Sequence, residues 1–307
     1  MAIARQFEPD GVRVVTQENQ GAAAARNKAF FLSQGDYIQW LDADDLLAPD
    51  KIAKQMEALD QGGSERTLLS SAWGQFLYRH HRAAFYPTAL WCDLDPAEWL
   101  LRKMSQNLHM QTATWLVSRQ LTEAAGPWNK QLLGDDDGEY FCRVLLQSDG
   151  VRFVRESLVY YRATGPGSLS YIGLSDRKRV AQLRSMELHI KYLRSLGDSS
   201  RVRAACVQYL QNWSVFFYPE RLDLLEQMEA MAAELGGYLT ASRLSWKYSW
   251  IEPIFGSVLA NRSQIFLPRL KWAFLRFCDK ILYQLSNRQS SAARVVSQQQ
   301  IASNWRN

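Results

Sequence analysis

Through the first half of the chain, short apolar runs alternate with segments of helical periodicity. Residues 12–16 (Val-Arg-Val-Val-Thr), 37–41 (Tyr-Ile-Gln-Trp-Leu), 67–78, 113–117 and 151–161 read as strands, dominated by β-branched, aromatic and other apolar side chains. Between them lie helices. Residues 21–34 are alanine-rich with Gly35 as a stop, and a segment opened by Pro49 closes at Gly62-Gly63. Asp95-Pro96 starts another helix that runs to about Met104. Ser118 caps one that ends before Gly126-Pro127, and residues 137–148 form the next. Strands alternating with helices predict a three-layer α/β domain. Past Gly165-Pro166-Gly167 the pattern turns helical, over 176–196, 199–218, 220–235 and 265–285. The chain therefore divides into an α/β part (1–175), a helical part (176–285) and a tail (286–307). That tail is rich in Ser, Gln, Asn and Arg, has little to bury, and is expected to be disordered. No internal repeat is present.

Composition narrows the class. Of 307 residues, 47% are apolar and 22% charged, which excludes a disordered chain, a collagen-like fibre or a coiled-coil rod. Cys92, Cys142, Cys206 and Cys278 stand singly, so neither a disulfide framework nor a zinc knuckle is expected, and a reducing compartment is. No apolar run reaches the roughly 18 residues of a membrane span, and no apolar stretch follows Met1. These features predict a cytoplasmic location. Charge is uneven: residues 1–175 hold 17 Lys and Arg against 21 Asp and Glu, and residues 176–307 hold 19 against 10. An acidic first part suits a cation or a polyhydroxyl substrate. A basic second part suits membrane phosphates or another polyanion, or is a solvated Arg-rich surface. In 265–285, Trp272, Phe274, Phe277 and Ile281 stand against Arg269, Lys271, Arg276 and Lys280, a pattern open to both core packing and a membrane-surface helix.

The main chemical signal is Asp42-Ala43-Asp44-Asp45, directly after the apolar run 37–41. Ligands of open α/β sheets bind beyond the carboxyl ends of strands, where this cluster falls. Three carboxylates in four residues repel one another, and a divalent cation relieves that. Mg2+ commonly binds through one or two carboxylates plus substrate phosphates. The alternative is an acidic loop leading into the next helix. An EF-hand fails because Leu46 and Leu47 stand where a ligand and a glycine are needed. An aspartyl-nucleophile phosphatase also sets D-x-D after a strand, but Leu46 replaces its usual Thr or Val, leaving it a minor alternative. His80, His81, His109 and His189 lack metal-ligand spacing and read as surface or core residues. A second acidic run, Asp135-Asp136-Asp137, opens a helix, where amide groups and the helix dipole favour ionised carboxylates.

Taken in order, Asn19-Gln20-Gly21-Ala22-Ala23-Ala24-Ala25-Arg26-Asn27, the Asp42–Asp45 cluster, Gly126-Pro127-Trp128-Asn129, Asp135-Asp136-Asp137-Gly138-Glu139-Tyr140-Phe141 and Tyr160-Tyr161-Arg162 resemble the inverting family 2 glycosyltransferases of GT-A fold. The resemblance covers about residues 10–170. It implies sugar transfer from a nucleotide-sugar donor to a hydroxyl of a carbohydrate or lipid-linked acceptor, as in cell-envelope polysaccharide biosynthesis, with Mg2+ or Mn2+ as cofactor. It implies Asp44 as metal ligand with Asp45 second, and Gly21, Arg26, Asp42 and Arg162 at the donor; the alternatives are a salt bridge within the acidic cluster for Arg26 and pairing with an acid for Arg162. It implies Trp128 as an acceptor-side wall, for which plain core is an equal alternative, and Asp137 as general base with Asp136 in reserve. The base takes the proton of the attacking hydroxyl, and the metal steadies the leaving diphosphate. Peripheral membrane contact through the basic helices is expected, nucleic-acid binding is not.

Members of that family begin with a strand–loop–helix–strand unit for the nucleotide base. Here residues 1–7 already resemble the helix that follows it, so the GT-A domain is expected to lack about 50 or more residues at its front, leaving an apolar strand edge. This leaves a non-enzymatic alternative: an inactive remnant whose basic helices bind an anionic partner.

Overall fold

The computed structural model describes residues 2–165, 175–240 and 245–304, with side chains to residue 286. A short helix α1 (Ala2–Arg5) precedes α2 (Ala22–Leu32), β1 (Tyr37–Ile38), β2 (Leu46–Leu47), α3 (Lys51–Asp60), β3 (Thr67–Phe76) and β4 (Ala84–Phe85). Then follow α4 (Pro96–Gln106), β5 (Val117–Ser118), α5 (Arg119–Ala125), α6 (Asp136–Gln147) and β6 (Gly150–Arg162). The C-terminal region is helical: α7 (Asp176–Leu196), α8 (Ser200–Ser214), α9 (Leu222–Glu234) and α10 (Glu252–Asn304). One sheet has the order β2-β6-β3-β4, the other pairs β1 with β5, and a bridge between Leu69 and Leu116 links them.

The long strands β3 and β6 run parallel from Thr67 opposite Gly150 to Phe76 opposite Arg162. Between Ser71 and Ala72 the register shifts, and Arg155, Glu156 and Ser157 of β6 bulge towards α3. There the Ser157 hydroxyl donates to Lys51 O (3.2 Å) and Lys54 Nζ to Glu156 O (3.0 Å). The bulge bends β6 so that its end, Tyr160-Tyr161-Arg162, arrives beside the turn after β1. Side-chain caps set the helix starts: Asp95 accepts from Glu98 N (2.9 Å) and Ser118 from Leu121 N (3.1 Å).

The core joins both regions. Trp99, Trp115, Trp128, Tyr140 and Phe141 of the α/β part pack in one cluster with Met186, Ile190, Leu193, Tyr209 and Leu210 of the helices. The split expected near residue 175 is thus a change of secondary structure with no division of the core.

Several expected elements differ. Residues 12–16 are exposed apart from a half-buried Val14 and without regular structure, because their apolar pattern finds no partner strand among the described residues. The strands expected at 37–41 and 113–117 shrink to two residues each, Tyr37–Ile38 and Val117–Ser118, with a 3-10 turn over Thr112–Thr114. A helical backbone carries on through residue 304, beyond the boundary expected at 285; elongating an existing helix avoids the nucleation cost. Residues 166–174, including Pro166-Gly167, and 305–307 lie outside the described residues.

Lys51, the first residue of α3, is fully buried, with its ammonium donating to Gln39 Oε1 and no salt bridge among the described residues. Burial pushes its pKa down to about 7. The unfolded chain then holds this proton up to about pH 10.4 while the folded one releases it near 7, so this group makes stability rise with pH across that window. Urea unfolding at pH 7 and 9 should show a rise of at most about 1.4 kcal/mol per pH unit from this source, absent in Lys51→Met. Equal slopes in both proteins would refute it.

Candidate active site

Helix α2 begins at Gly21, whose φ of +88° and ψ of 171° suit glycine. A Cβ there would meet nothing within 4 Å, so the turn is open, as a close ligand approach requires. One turn further on stands Arg26. Its Nη2 donates to Asp42 Oδ1 at 2.7 Å and its Nη1 to Asp136 Oδ2 at 2.8 Å. The guanidinium carbon lies 4.4 Å from the centre of the Trp128 ring. Burial works against its charge, and Asp136 and Asp42 outweigh burial, holding its pKa above the usual range. The next residue, Asn27, clamps the backbone of Trp128: its Nδ2 donates to Trp128 O (3.0 Å) and its Oδ1 accepts from Trp128 N (2.7 Å).

Arg26, expected at the nucleotide or in a salt bridge within the acidic cluster, is the cation that joins the two acidic runs. Trp128 was expected as an acceptor wall; it is 2% exposed, with its ring stacked on Tyr140 at 4.1 Å. It forms a floor under Arg26.

The turn after β1 closes with Asp45 N donating to Asp42 O at 3.2 Å. It sorts the three carboxylates. Asp42 faces Arg26. Asp45 is buried: Oδ2 accepts from Gln111 Nε2 (2.5 Å) and Oδ1 from Arg162 N (2.8 Å). Burial pushes its pKa up to about 7, while both donors suit the ionised form. Asp44 is exposed, and its side chain has no hydrogen-bond or ion-pair partner among the described residues. Asp45, expected as a second metal residue, therefore points into the fold, and Asp44 is the open carboxylate. Arg162, expected at the diphosphate, holds the turn: Nε donates to Asp44 O (2.9 Å) and Nη1 to Leu77 O (3.3 Å), with its guanidinium 4.5 Å from the Phe76 ring centre.

The second run opens α6. Asp135 has φ 54° and ψ 23°, a left-handed conformation unusual outside glycine. It is held from α7: Oδ2 accepts from Ser185 Oγ (2.6 Å) and from Gln182 Nε2 (3.4 Å). A Cβ on Gly138 would lie 2.0 Å from Asp135 Oδ1, so any larger residue there would displace the Asp135 carboxylate. Burial and then Asp137 raise the pKa of Asp136, and Arg26 opposes them. Asp137 Oδ2 accepts from Thr112 Oγ1 (3.0 Å) and Oδ1 from Gly138 N (2.9 Å). Consecutive residues of one turn thus reach both runs, Gln111 to Asp45 and Thr112 to Asp137.

Asn27, Gln111, Thr112 and Ser185 were not singled out from sequence. Their signal is weak: polar side chains among apolar neighbours, whose partners lie up to about a hundred residues away. His189 is buried against the Tyr209 hydroxyl (3.0 Å), and burial pushes its pKa down to about 3, as befits a core residue. His80, His81 and His109 are at the surface.

Among the described residues no three His, Cys, Asp or Glu side chains converge as a metal cage. An exposed Asp44 fits the other kind of site, in which a hard cation takes one or two carboxylates and completes its shell with phosphate and water oxygens.

Residues 1–91 match the family model described as glycosyl transferase family 2. The uncharacterized glycosyltransferase MJ1057 of Methanocaldococcus jannaschii is 20% identical over 224 residues, 70% of this chain and 69% of that protein. A teichuronic acid biosynthesis glycosyltransferase by name, TuaG of Bacillus subtilis, is 47% identical over 58 residues, 18% of this chain and 23% of that one. The crystal structure of S. aureus TarS 1-349 in complex with UDP-GlcNAc superposes with a TM-score of 0.56 at 13% identity, covering 75% of this chain and 68% of that one. Residues 1–91 are thus similar to family 2 glycosyltransferases, and the fold resembles that of TarS. The family match holds the Arg26 helix and the Asp42–Asp45 turn, and the second acidic run follows it in sequence but meets it in space.

Arg26→Lys keeps the charge but loses the fork. Stability should fall by about 1–3 kcal/mol in urea, nearly as far as in Arg26→Ala. Full recovery by lysine would show that charge alone matters.

Proposed function

We propose that the chain transfers a sugar from a nucleoside-diphosphate donor to a hydroxyl of a carbohydrate or lipid-linked acceptor, with inversion at the anomeric carbon. One observation carries this reading: Arg26 brings Asp42 of the first acidic run and Asp136 of the second to a single guanidinium. A donor-side and an acceptor-side carboxylate group then border one site, as a direct displacement requires.

Asp44 is the group open to a divalent ion, Mg2+ or Mn2+. When bound, such an ion supplies positive charge for the departing diphosphate. The other roles fall to the chain. Gly21 leaves space at the start of α2 for the donor. Asp42, about 42% exposed despite its bond to Arg26, retains lone pairs for donor hydroxyls. Asp137 is the better general base. Asp136 is bound to a cation, whereas Asp137 accepts, among the described residues, from the neutral groups Thr112 Oγ1 and Gly138 N. As the acceptor oxygen bonds to the anomeric carbon, its proton passes to Asp137 and the bond to the diphosphate oxygen breaks with its electron pair. Thr112 fixes the rotamer of that carboxylate.

Two substitutions separate the roles. Asp44→Ala should abolish transfer and also the thermal stabilisation by uridine or guanosine diphosphate with Mn2+. Asp137→Asn should cut turnover by about a hundredfold or more while leaving that stabilisation intact. Unchanged turnover in either variant would overturn the assignment.

A further inference from the structure

One side of α10 is tied to the body. Asp279 accepts from Tyr78 N (2.9 Å) and from Arg79 Nε (2.7 Å), Arg276 lies 5.7 Å from the Tyr78 ring centre, and Tyr283 lies 6.1 Å from the same ring. At 3.6 residues per turn, Leu267, Leu270, Phe274, Phe277 and Ile281 fall on the opposite side. All are exposed, Phe274 by 66% and Phe277 by 61%. Their spacing of three, four, three and four residues gives a continuous apolar stripe about 20 Å long. A stripe of this kind marks a contact surface.

Charge identifies the occupant. Lys271 and Lys280 border the stripe, and the nearest acid, Asp279, is engaged by Arg79. A second copy laid along the stripe would bring these lysines towards their counterparts with no carboxylate between them. A bilayer carrying anionic headgroups meets both the apolar side chains and the lysines. We infer that α10 is an interfacial helix seated on an anionic bilayer, with the stripe among the acyl chains and Lys271 and Lys280 at the phosphates. This rests on the transferase reading for its consequence. The same helix holds Tyr78 and Arg79, adjacent in the chain to Leu77, whose carbonyl receives Arg162 from the Asp44 turn. The site is thus anchored next to the membrane-bound element, and the acceptor is borne by a lipid.

The test is cosedimentation of the full chain with vesicles of phosphatidylcholine, with and without phosphatidylglycerol. Binding should require the anionic lipid, weaken with salt, and fall about tenfold or more in Phe274→Glu/Phe277→Glu. The double variant should keep the helical circular dichroism and the stabilisation by uridine or guanosine diphosphate with Mn2+. No binding, equal binding of unaltered chain and variant, or equal binding to neutral vesicles would overturn the seat. So would a change from dimer to monomer on substitution, which would make a second copy the occupant. Absent nucleotide stabilisation in the unaltered chain would overturn the transferase reading and the lipid-borne acceptor, and absent vesicle binding the seat alone.

Discussion

The site depends on one guanidinium. Without a cation between them, the Asp42 and Asp136 carboxylates would repel, and each would lose ionised hydrogen bonds in a part-buried setting. Arg26 suits the place better than lysine would. Its planar fork reaches both carboxylates at once, and its weaker hydration lets it lie over an indole. That indole is itself fixed. Trp128 stacks on Tyr140, and Asn27 closes two hydrogen bonds on its backbone. Consecutive residues of α2 therefore read the same tryptophan twice, Arg26 by its ring and Asn27 by its amide. A loop about a hundred residues away in sequence is bound to the helix that carries the central charge.

Around this centre three further carboxylates each accept from an uncharged side chain, two donors standing side by side in one turn and the third on α7. Gln111 serves Asp45, Thr112 serves Asp137 and Ser185 serves Asp135. Ser185 lies on α7, so the helical region contributes to the shape of the α6 N-terminus. The left-handed Asp135 and the crowded Gly138 show how tightly that start is drawn. Strain of this type persists only where surroundings over-determine it. Here the surroundings are the common core of α6, α7 and α8.

The helices were the most legible part of the sequence, because their signals are local. Asp95-Pro96 and Ser118 mark starts that need only neighbouring residues, and α7 spans the residues expected for it. Strands depend on partners far away, which is why residues 12–16 remained without structure and 37–41 paired over only two residues. The acidic runs were legible as chemistry, and the fold brings Asp42 of one and Asp136 of the other to a single guanidinium. What each acid does was not legible, since that depends on Gln111, Thr112, Ser185 and Arg26 arriving from elsewhere. Trp128 illustrates the limit. An aromatic after a Gly-Pro turn reads equally as ligand wall or core, and only its neighbours in space decide.

The case for a metal also changes in kind. From sequence, it rested on the mutual repulsion of three carboxylates crowded into four residues. In the fold that repulsion is largely answered from within: Asp42 by Arg26, and Asp45 by Gln111 and the Arg162 amide. Crowding alone no longer calls for an external cation. Under the proposed transfer reaction, Asp44 would do so on different grounds. It is the member of the turn left in solvent, its backbone is held by Arg162, and its side chain has no partner among the described residues. A single anchored carboxylate is a poor metal site by itself and a sufficient one once a diphosphate contributes its oxygens. Metal and donor would on this argument bind together, each completing the other's shell, and neither would bind firmly alone.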